Sequence, residues 1–290
     1  MIYFIASWMN LIEGYIEAWA PELSEQIKRV RFKELSEIED CPPGVYIFSD
    51  LERAKPEEMR RLTELAGRVS QAADTRILND PRHYLARFDF LRRLHAEGIN
   101  DYRVHRPMGS LLHARFPVFV RSLSDHAGPI GELLQNRLQL AGVLLKGRGR
   151  LTRRHRNTAV VEYCDCSDDQ GVFRKYSVFK MGDLLMARHL LFSRNWAVKI
   201  EDLHEDAMLE EESQFIEDCQ HLEQIAEVFR LGGIDYGRID YGIKDGRIQV
   251  WEINTNPVII SRPEKLALKR RPTQARLAER IRDELKSLAE

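Results

Sequence analysis

The sequence predicts an α/β protein that opens on a parallel sheet and becomes α+β through its central and C-terminal parts. Three observations carry that expectation. Short apolar strands alternate with amphipathic helices through the first hundred residues, and a parallel strand pair needs a crossover long enough to hold a helix. Residues 173–193 and 235–254 each read as two apolar runs joined by a Gly-bearing turn, the mark of antiparallel hairpins. A chain of 290 residues with 43% hydrophobic and 31% charged side chains is also long enough to bury a substantial core.

In chain order, residues 2–6 (IYFIA) read as a strand and the stretch after them as a helix. Residues 44–50 (GVYIFSD) form a second strand. Residues 55–69 (KPEEMRRLTELAGRV) form a surface helix, with Pro near its start, acids in the first turn and an apolar face of Met59, Leu62, Leu65, Ala66 and Val69. Residues 75–81 are a strand ending in turn chemistry, and 83–99 a helix closed by Gly98. Residues 116–122 (FPVFVRS) form a strand, and 123–134 a Gly-bearing loop running into a helix. A strand is expected at 157–166, an antiparallel pair about Met181-Gly182-Asp183, and one polar helix over about 208–231. A hairpin at 235–254 and a helix at 271–290 complete the chain. The basic run 146–156 (KGRGRLTRRHR) reads as a solvated loop, with a flap facing an anionic substrate as the alternative.

The formal net charge of -1 gives no drive toward nucleic acid or acidic membranes. No apolar run reaches the roughly 20 residues of a membrane helix. The N-terminal stretch has early acids and no basic n-region, so a signal peptide is not expected. Of the four cysteines, only Cys164 and Cys166 are close in sequence, with no His spacing to complete a zinc pattern; reduced thiols and a cytoplasmic location are expected.

The stretch WEINTNP (251–257) puts Glu252 and Asn254 on one face of a strand that Pro257 ends. The partner strand carries Arg238 and Asp240, and two turns about Lys244-Asp245-Gly246 are open. A two-residue loop places Asp240 opposite Trp251, on the face away from Glu252 and Asn254. A three-residue loop places Asp240 opposite Val250, on the same face as both. The second arrangement gathers two carboxylates and an amide oxygen, which need a cation, and hard oxygen ligands suit Mg²⁺.

With RID (238–240) and EIN (252–254), the sequence resembles the ATP-grasp superfamily of carboxylate–amine ligases, which includes D-alanine–D-alanine ligase, glutathione synthetase and the ribosomal-protein glutamate ligases. FPVFVRS is similar to the family's strand with an ATP-binding lysine, here Arg121; Arg87 stands where a second phosphate-binding lysine stands. SDHAG (124–128) looks like the glycine-bearing phosphate loop, VVEYC (160–164) like the hinge that pairs with adenine, and Lys199 matches a lysine near the nucleotide. These matches run in the family's order over roughly residues 75–257.

The resemblance implies an ATP-grasp fold with an N-terminal α/β domain (1–105), a central lid subdomain (106–166) and a C-terminal subdomain with the metal site (167–290). It implies ATP and two Mg²⁺ ions, for which Mn²⁺ can substitute, held by Asp240, Glu252 and Asn254. It assigns Arg87, Arg121, His126, Ala127, Gly128, Glu162, Tyr163, Cys164 and Lys199 to the nucleotide. Arg238 is the candidate for stabilising the acyl phosphate, with an ion pair to Glu252 as its alternative. Strand alternation lets one of Arg174 and Lys175 face the site, and Arg174 is assigned. Cys164 is taken as an apolar wall beside adenine, without a His to activate it. Asn256, Ser261 and Arg262 follow the metal strand and are the candidate substrate contacts, although VIISRP departs from the family there.

The implied activity is ATP-dependent joining of a small-molecule or peptide carboxylate to an amine, through an acyl phosphate, with release of ADP and phosphate. A small-molecule kinase, a nucleotide-binding protein without ligase activity and, more remotely, a nucleic-acid-binding module are the alternatives. No membrane partner is expected, and a homodimer is left open.

Overall fold

A computed structural model of the chain describes residues 1–124, 128–146, 157–198, 202–203 and 205–290. The expectations for His126, Ala127, Lys199 and all but the first residue of the basic run lie outside the described residues.

The first sheet is parallel. Its strands are β1 (Ile2–Ala6), β2 (Ile27–Arg31), β3 (Gly44–Phe48) and β4 (Thr75–Leu78), in the order β2-β1-β3-β4. Helix α1 (Asn10–Trp19) follows β1, and α2 (Pro56–Val69) joins β3 to β4. Alternation along β1 explains the layering: Ile2, Phe4 and Ala6 enter the main core with α1, while Tyr3 and Ile5 join Leu62, Leu65, Ala66 and Val69 of α2.

Helix α3 covers Arg87–Ala96, beginning four residues later than the sequence suggested. Asp80 turns the chain through hydrogen bonds to Arg82, and the Leu85 N–H bonds to Gly232 O, so residues before Arg87 are committed elsewhere.

The second sheet has the order β5-β8-β6-β7 and is antiparallel, with β5 (Val104–His105), β6 (Val118–Ser122), β7 (Pro129–Leu134) and β8 (Thr158–Glu162). Residues 129–134, expected as the start of a helix, are this edge strand. Pro129 lacks an N–H, which an edge strand tolerates, and the pairing with β6 is interrupted where Gly131 takes φ 79°. Helices α4 (Pro107–His113) and α5 (Arg137–Lys146) accompany it around a separate small core of Val118, Val120, Leu140, Leu144 and Val160.

The third sheet is antiparallel, β10-β9-β11-β12, from β9 (Phe173–Met181), β10 (Leu184–Ser193), β11 (Tyr236–Lys244) and β12 (Arg247–Asn254). The single polar helix expected near 208–231 is two, α6 (Asp206–Glu217) and α7 (Leu222–Gly232), broken where Asp218 leaves helical geometry at φ -134° and ψ 68°. The terminal helix α8 (Arg271–Ala289) packs back on the first sheet and on α1, so both ends of the chain share the main core.

Candidate active site

The β11–β12 hairpin decides the site. Lys244 pairs with Arg247, so the loop is Asp245-Gly246, with φ of 49° and 73°. Two consecutive left-handed residues are what a two-residue hairpin loop of type I′ requires. Continued without interruption, this register would face Asp240 with Trp251 and separate the carboxylates. A bulge intervenes: Tyr241 pairs with Val250, but Asp240 pairs with Glu252 and Arg238 with Asn254, leaving Trp251 as the extra residue. Asp240, Glu252 and Asn254 therefore share a face. The expectation that this needs a three-residue loop is corrected; the loop is short and the bulge supplies the shift.

That face opens into a cavity of about 380 Å³ between the second and third sheets. Arg238 grips Asp240 with a fork, Nε to Oδ1 at 2.8 Å and Nη2 to Oδ2 at 3.1 Å, so its carboxylate partner is Asp240 and not Glu252. Ser177 Oγ donates to Asp240 Oδ1 at 2.8 Å. With its single proton committed there, Ser177 accepts from His189 Nε2 at 2.8 Å, which fixes the His189 tautomer. Lys175 Nζ lies 4.0 Å from Asp240 Oδ2; burial lowers the Lys175 pKa, and Asp240 partly restores it. Glu252 Oε2 receives Arg121 at 2.6 Å and Arg87 at 3.1 Å. Asn254 Oδ1 accepts the Asn256 N–H at 2.8 Å, orienting the amide and leaving a second lone pair on the oxygen.

Three cations of the cavity lining, Arg121, Lys175 and Arg238, thus converge on Asp240 and Glu252, with Arg87 behind Glu252. The other end of the cavity is apolar. Phe119 and Trp196 pack at 5.0 Å between ring centroids, and Tyr163 meets Trp196 edge-on at 5.8 Å. The strand between these ends is anchored by Glu162. Its buried carboxylate takes Arg103 Nε, Arg115 Nε and His105 Nε2 at 3.0 Å each, and the Arg115 N–H at 2.8 Å. Burial pushes this carboxyl up in pKa, but those hydrogen bonds outweigh it and hold it at about 2.

No family model matches the sequence, and no curated protein matches it. Solved structures do. D-alanine–D-alanine ligase from Bacillus anthracis aligns over 99% of this chain and 95% of its own, with a TM-score of 0.52 at 16% identity. A RimK domain ATP-grasp protein from Sphaerobacter thermophilus covers 99% of this chain and 100% of its own, with a TM-score of 0.52 at 13% identity. The ATP-grasp ligase PsnB, complexed with a minimal precursor, covers 99% of each, with a TM-score of 0.54 at 13% identity.

This chain has the ATP-grasp fold.

Within the ATP-grasp fold as this chain builds it, Arg121, Gly128, Glu162, Tyr163, Cys164, Arg238, Asp240, Glu252 and Asn254 line the cavity. Arg87 does not; it lies behind Glu252 and donates to the carbonyls of Ser122 and Leu123. Arg174 is corrected to Lys175. Arg174 points to Asp168 and Glu211, at 2.6 and 2.7 Å, and stacks over Phe192, while its neighbour enters the cavity. The three substrate candidates also stand apart from the cavity lining. Asn256 donates to Trp8 O at 3.0 Å, Ser261 O accepts Trp19 Nε1 at 3.2 Å, and Arg262 pairs with Glu17. Sequence reasoning missed Phe119, Trp196 and Trp251, whose spacing reads as ordinary core, and Ser177 with His189, which only the pairing of β9 with β10 and β11 brings to Asp240.

Proposed function

We propose that this protein is an ATP-dependent ligase that activates a carboxylate as an acyl phosphate and joins it to an amine of an amino acid, peptide or related molecule. The pairing of Asp240 with Glu252 across the bulge, inside a cavity that Arg121, Lys175 and Arg238 also line, is the observation that carries this reading. An all-oxygen donor set of two carboxylates and one amide fits Mg²⁺. The apolar slot of Phe119, Trp196 and Trp251 fits a purine ring, with the backbone of residues 162–164 as its hydrogen-bonding edge. The fold supports it too: PsnB, with a TM-score of 0.54 at 13% identity, has been captured with its minimal precursor, Mg and ADP.

Asp240, Glu252 and Asn254 would hold two Mg²⁺ ions, which when bound neutralise phosphate charge. Arg121, drawn off Glu252, forks onto phosphate oxygens, with Lys175 as a second point charge. Arg87 stays in place and holds the back of Glu252. Arg238, two residues from Asp240 on the same face, stabilises negative charge that develops at the attacked carbonyl. We divide the work among an N-terminal α/β part (1–105), a central part (106–166) and a C-terminal part (167–290).

The test is ADP release from Mg-ATP with a panel of carboxylates and amines. Turnover that needs one of each and disappears in Glu252→Ala supports the ligase. Phosphate retained on a single hydroxyl substrate would establish a kinase instead.

A further inference from the structure

Four polar residues of the third sheet stand opposite one another in a single row across its strands: His189 on β10, Ser177 on β9, Asp240 on β11 and Glu252 on β12. Two bulges make the row. The one at Trp251 aligns Glu252 with Asp240. The other lies in β10, where Ala187 pairs with Val178 and His189 with Ser177, leaving Arg188 as the extra residue. Without it Arg188 would stand opposite Ser177, and His189 would face Tyr176 on the other side of the sheet. The bulge is pinned from outside the sheet. Arg188 is buried, its Nε donates to Ile259 O at 2.6 Å, and its Nη1 donates to Gln274 Oε1 on α8.

The hydrogen bonds along the row run in one direction. The Asp240 carboxylate, paired with Arg238, accepts only, so the buried Ser177 Oγ gives it its one proton at 2.8 Å and takes the His189 Nε2–H at 2.8 Å. The Nε2–H removes the imidazole as a competing acceptor and keeps the hydroxyl proton on Asp240. At Asp240 the result is asymmetric. Oδ1 receives Ser177 Oγ and Arg238 Nε at 2.8 Å each. Among the described residues Oδ2 receives Arg238 Nη2 alone, at 3.1 Å, with Lys175 Nζ at 4.0 Å and beyond hydrogen-bond reach. A carboxylate oxygen has two lone-pair directions, so Oδ1 is filled and Oδ2 keeps one open.

We infer that Ser177 and His189 are positioning residues for the metal: together they lock Asp240 Oδ1 and present Oδ2 as the oxygen that binds Mg²⁺. Neither lines the cavity, so both act through Asp240. The competing account is a pair of polar side chains that merely satisfy each other inside the sheet, and it makes a different prediction. A lock on Asp240 matters to the ion and not to the nucleotide, and it depends on a donor at the position of His189 Nε2. Outer partners that orient a metal ligand carry about 10- to 100-fold in metal affinity.

This inference rests on the Mg²⁺ reading of Asp240, Glu252 and Asn254, and its test keeps the two apart. Mg²⁺ is titrated by calorimetry into the full chain saturated with ADP, and ADP affinity is measured separately in EDTA. Ser177→Ala and His189→Leu should each weaken Mg²⁺ binding by about 10- to 100-fold, with ADP affinity in EDTA staying within about twofold of wild type. His189→Gln, whose amide can place an N–H near the Nε2 position, should recover Mg²⁺ binding to within about threefold. Unchanged Mg²⁺ affinity in Ser177→Ala would overturn the proposal, and that variant decides alone if His189→Leu does not fold. A parallel fall in Mg²⁺ affinity and metal-free ADP affinity, the mark of a structural pair, would overturn it too, as would a His189→Gln no better than His189→Leu. If the wild-type ADP complex takes up no Mg²⁺, the metal reading and the positioning role both fail. If it does and the variants match it, the positioning role alone fails.

Discussion

Glu252 carries two guanidinium groups on one oxygen, so replacing it removes a candidate metal ligand and leaves Arg121 and Arg87 facing each other. Glu252→Gln should therefore lower ADP release at least ~100-fold, the scale of losing a group aimed at developing charge, with a smaller effect on nucleotide affinity. Steady-state ADP assays and calorimetry check both. Glu162 makes a different prediction, because its carboxyl is held at about 2, below its unfolded value. A group with a depressed folded pKa stabilises the protein fully above its unfolded pKa and loses that contribution as pH falls through the folded value. The wild type should thus lose stability between about pH 4.5 and pH 2, by an amount on the order of 3 kcal/mol from this group. Glu162→Gln should be less stable at neutral pH and flatter across that window, as urea titrations at several pH values would show. Part of this scale was legible: alternation put Glu252 and Asn254 on one face, whereas Asp240 depended on the register of the hairpin. Strand parity was not legible, because the sequence does not fix which face of β9 is buried, and Arg174 was chosen over Lys175 for that reason.

The hairpin shows where reading elements from sequence stops. Asp-Gly identified the turn, and the alternation in β11 and β12 identified the strands, but a bulge leaves no signature in residue type. Its location is set by tertiary packing: the Trp251 ring lies over Gly242, where an added Cβ would approach Cζ2 to 2.7 Å. Gly242→Val should therefore displace Trp251 and Cys166, lower stability by about 1–3 kcal/mol and weaken nucleotide binding. Gly246→Ala, in the same hairpin, meets no neighbour but must hold φ 73°. It should cost roughly 1–2 kcal/mol and leave nucleotide affinity unchanged, because the strain stays in the loop. Thermal melts and calorimetry on the pair separate strand packing from turn geometry. The edge strand β7 was lost to a similar limit: Pro129 and Gly131 are turn residues by composition, and only an edge position with an interrupted ladder makes them a strand.

Across the molecule, the cores are unequal. The first and third sheets share one continuous core, closed by α1 and α8, to which the second sheet adds Val104, Ala159 and Val161, whereas its other face, with α4 and α5, has only a small cluster of its own. Local stability follows buried apolar contact, so the second sheet should open below the global unfolding free energy. Its ties to the rest include the salt bridge from Arg121 to Glu252, which joins β6 to β12 across the cavity. A nucleotide seated between the sheets would add contacts that exist only while both are folded and closed. At a ligand concentration of 100 times the dissociation constant, that linkage is worth about 2.7 kcal/mol. Hydrogen exchange should accordingly show the β6 and β8 amides less protected than those of β9 and β11 without ligand. Saturating Mg-ATP should slow exchange in β6 and β8 by roughly 100-fold, which is the same linkage expressed as a rate, while β1 and β3 change little. Uniform protection across all three sheets, with or without nucleotide, would mean that the second sheet is not an independent unit and that the cavity does not couple it to the third.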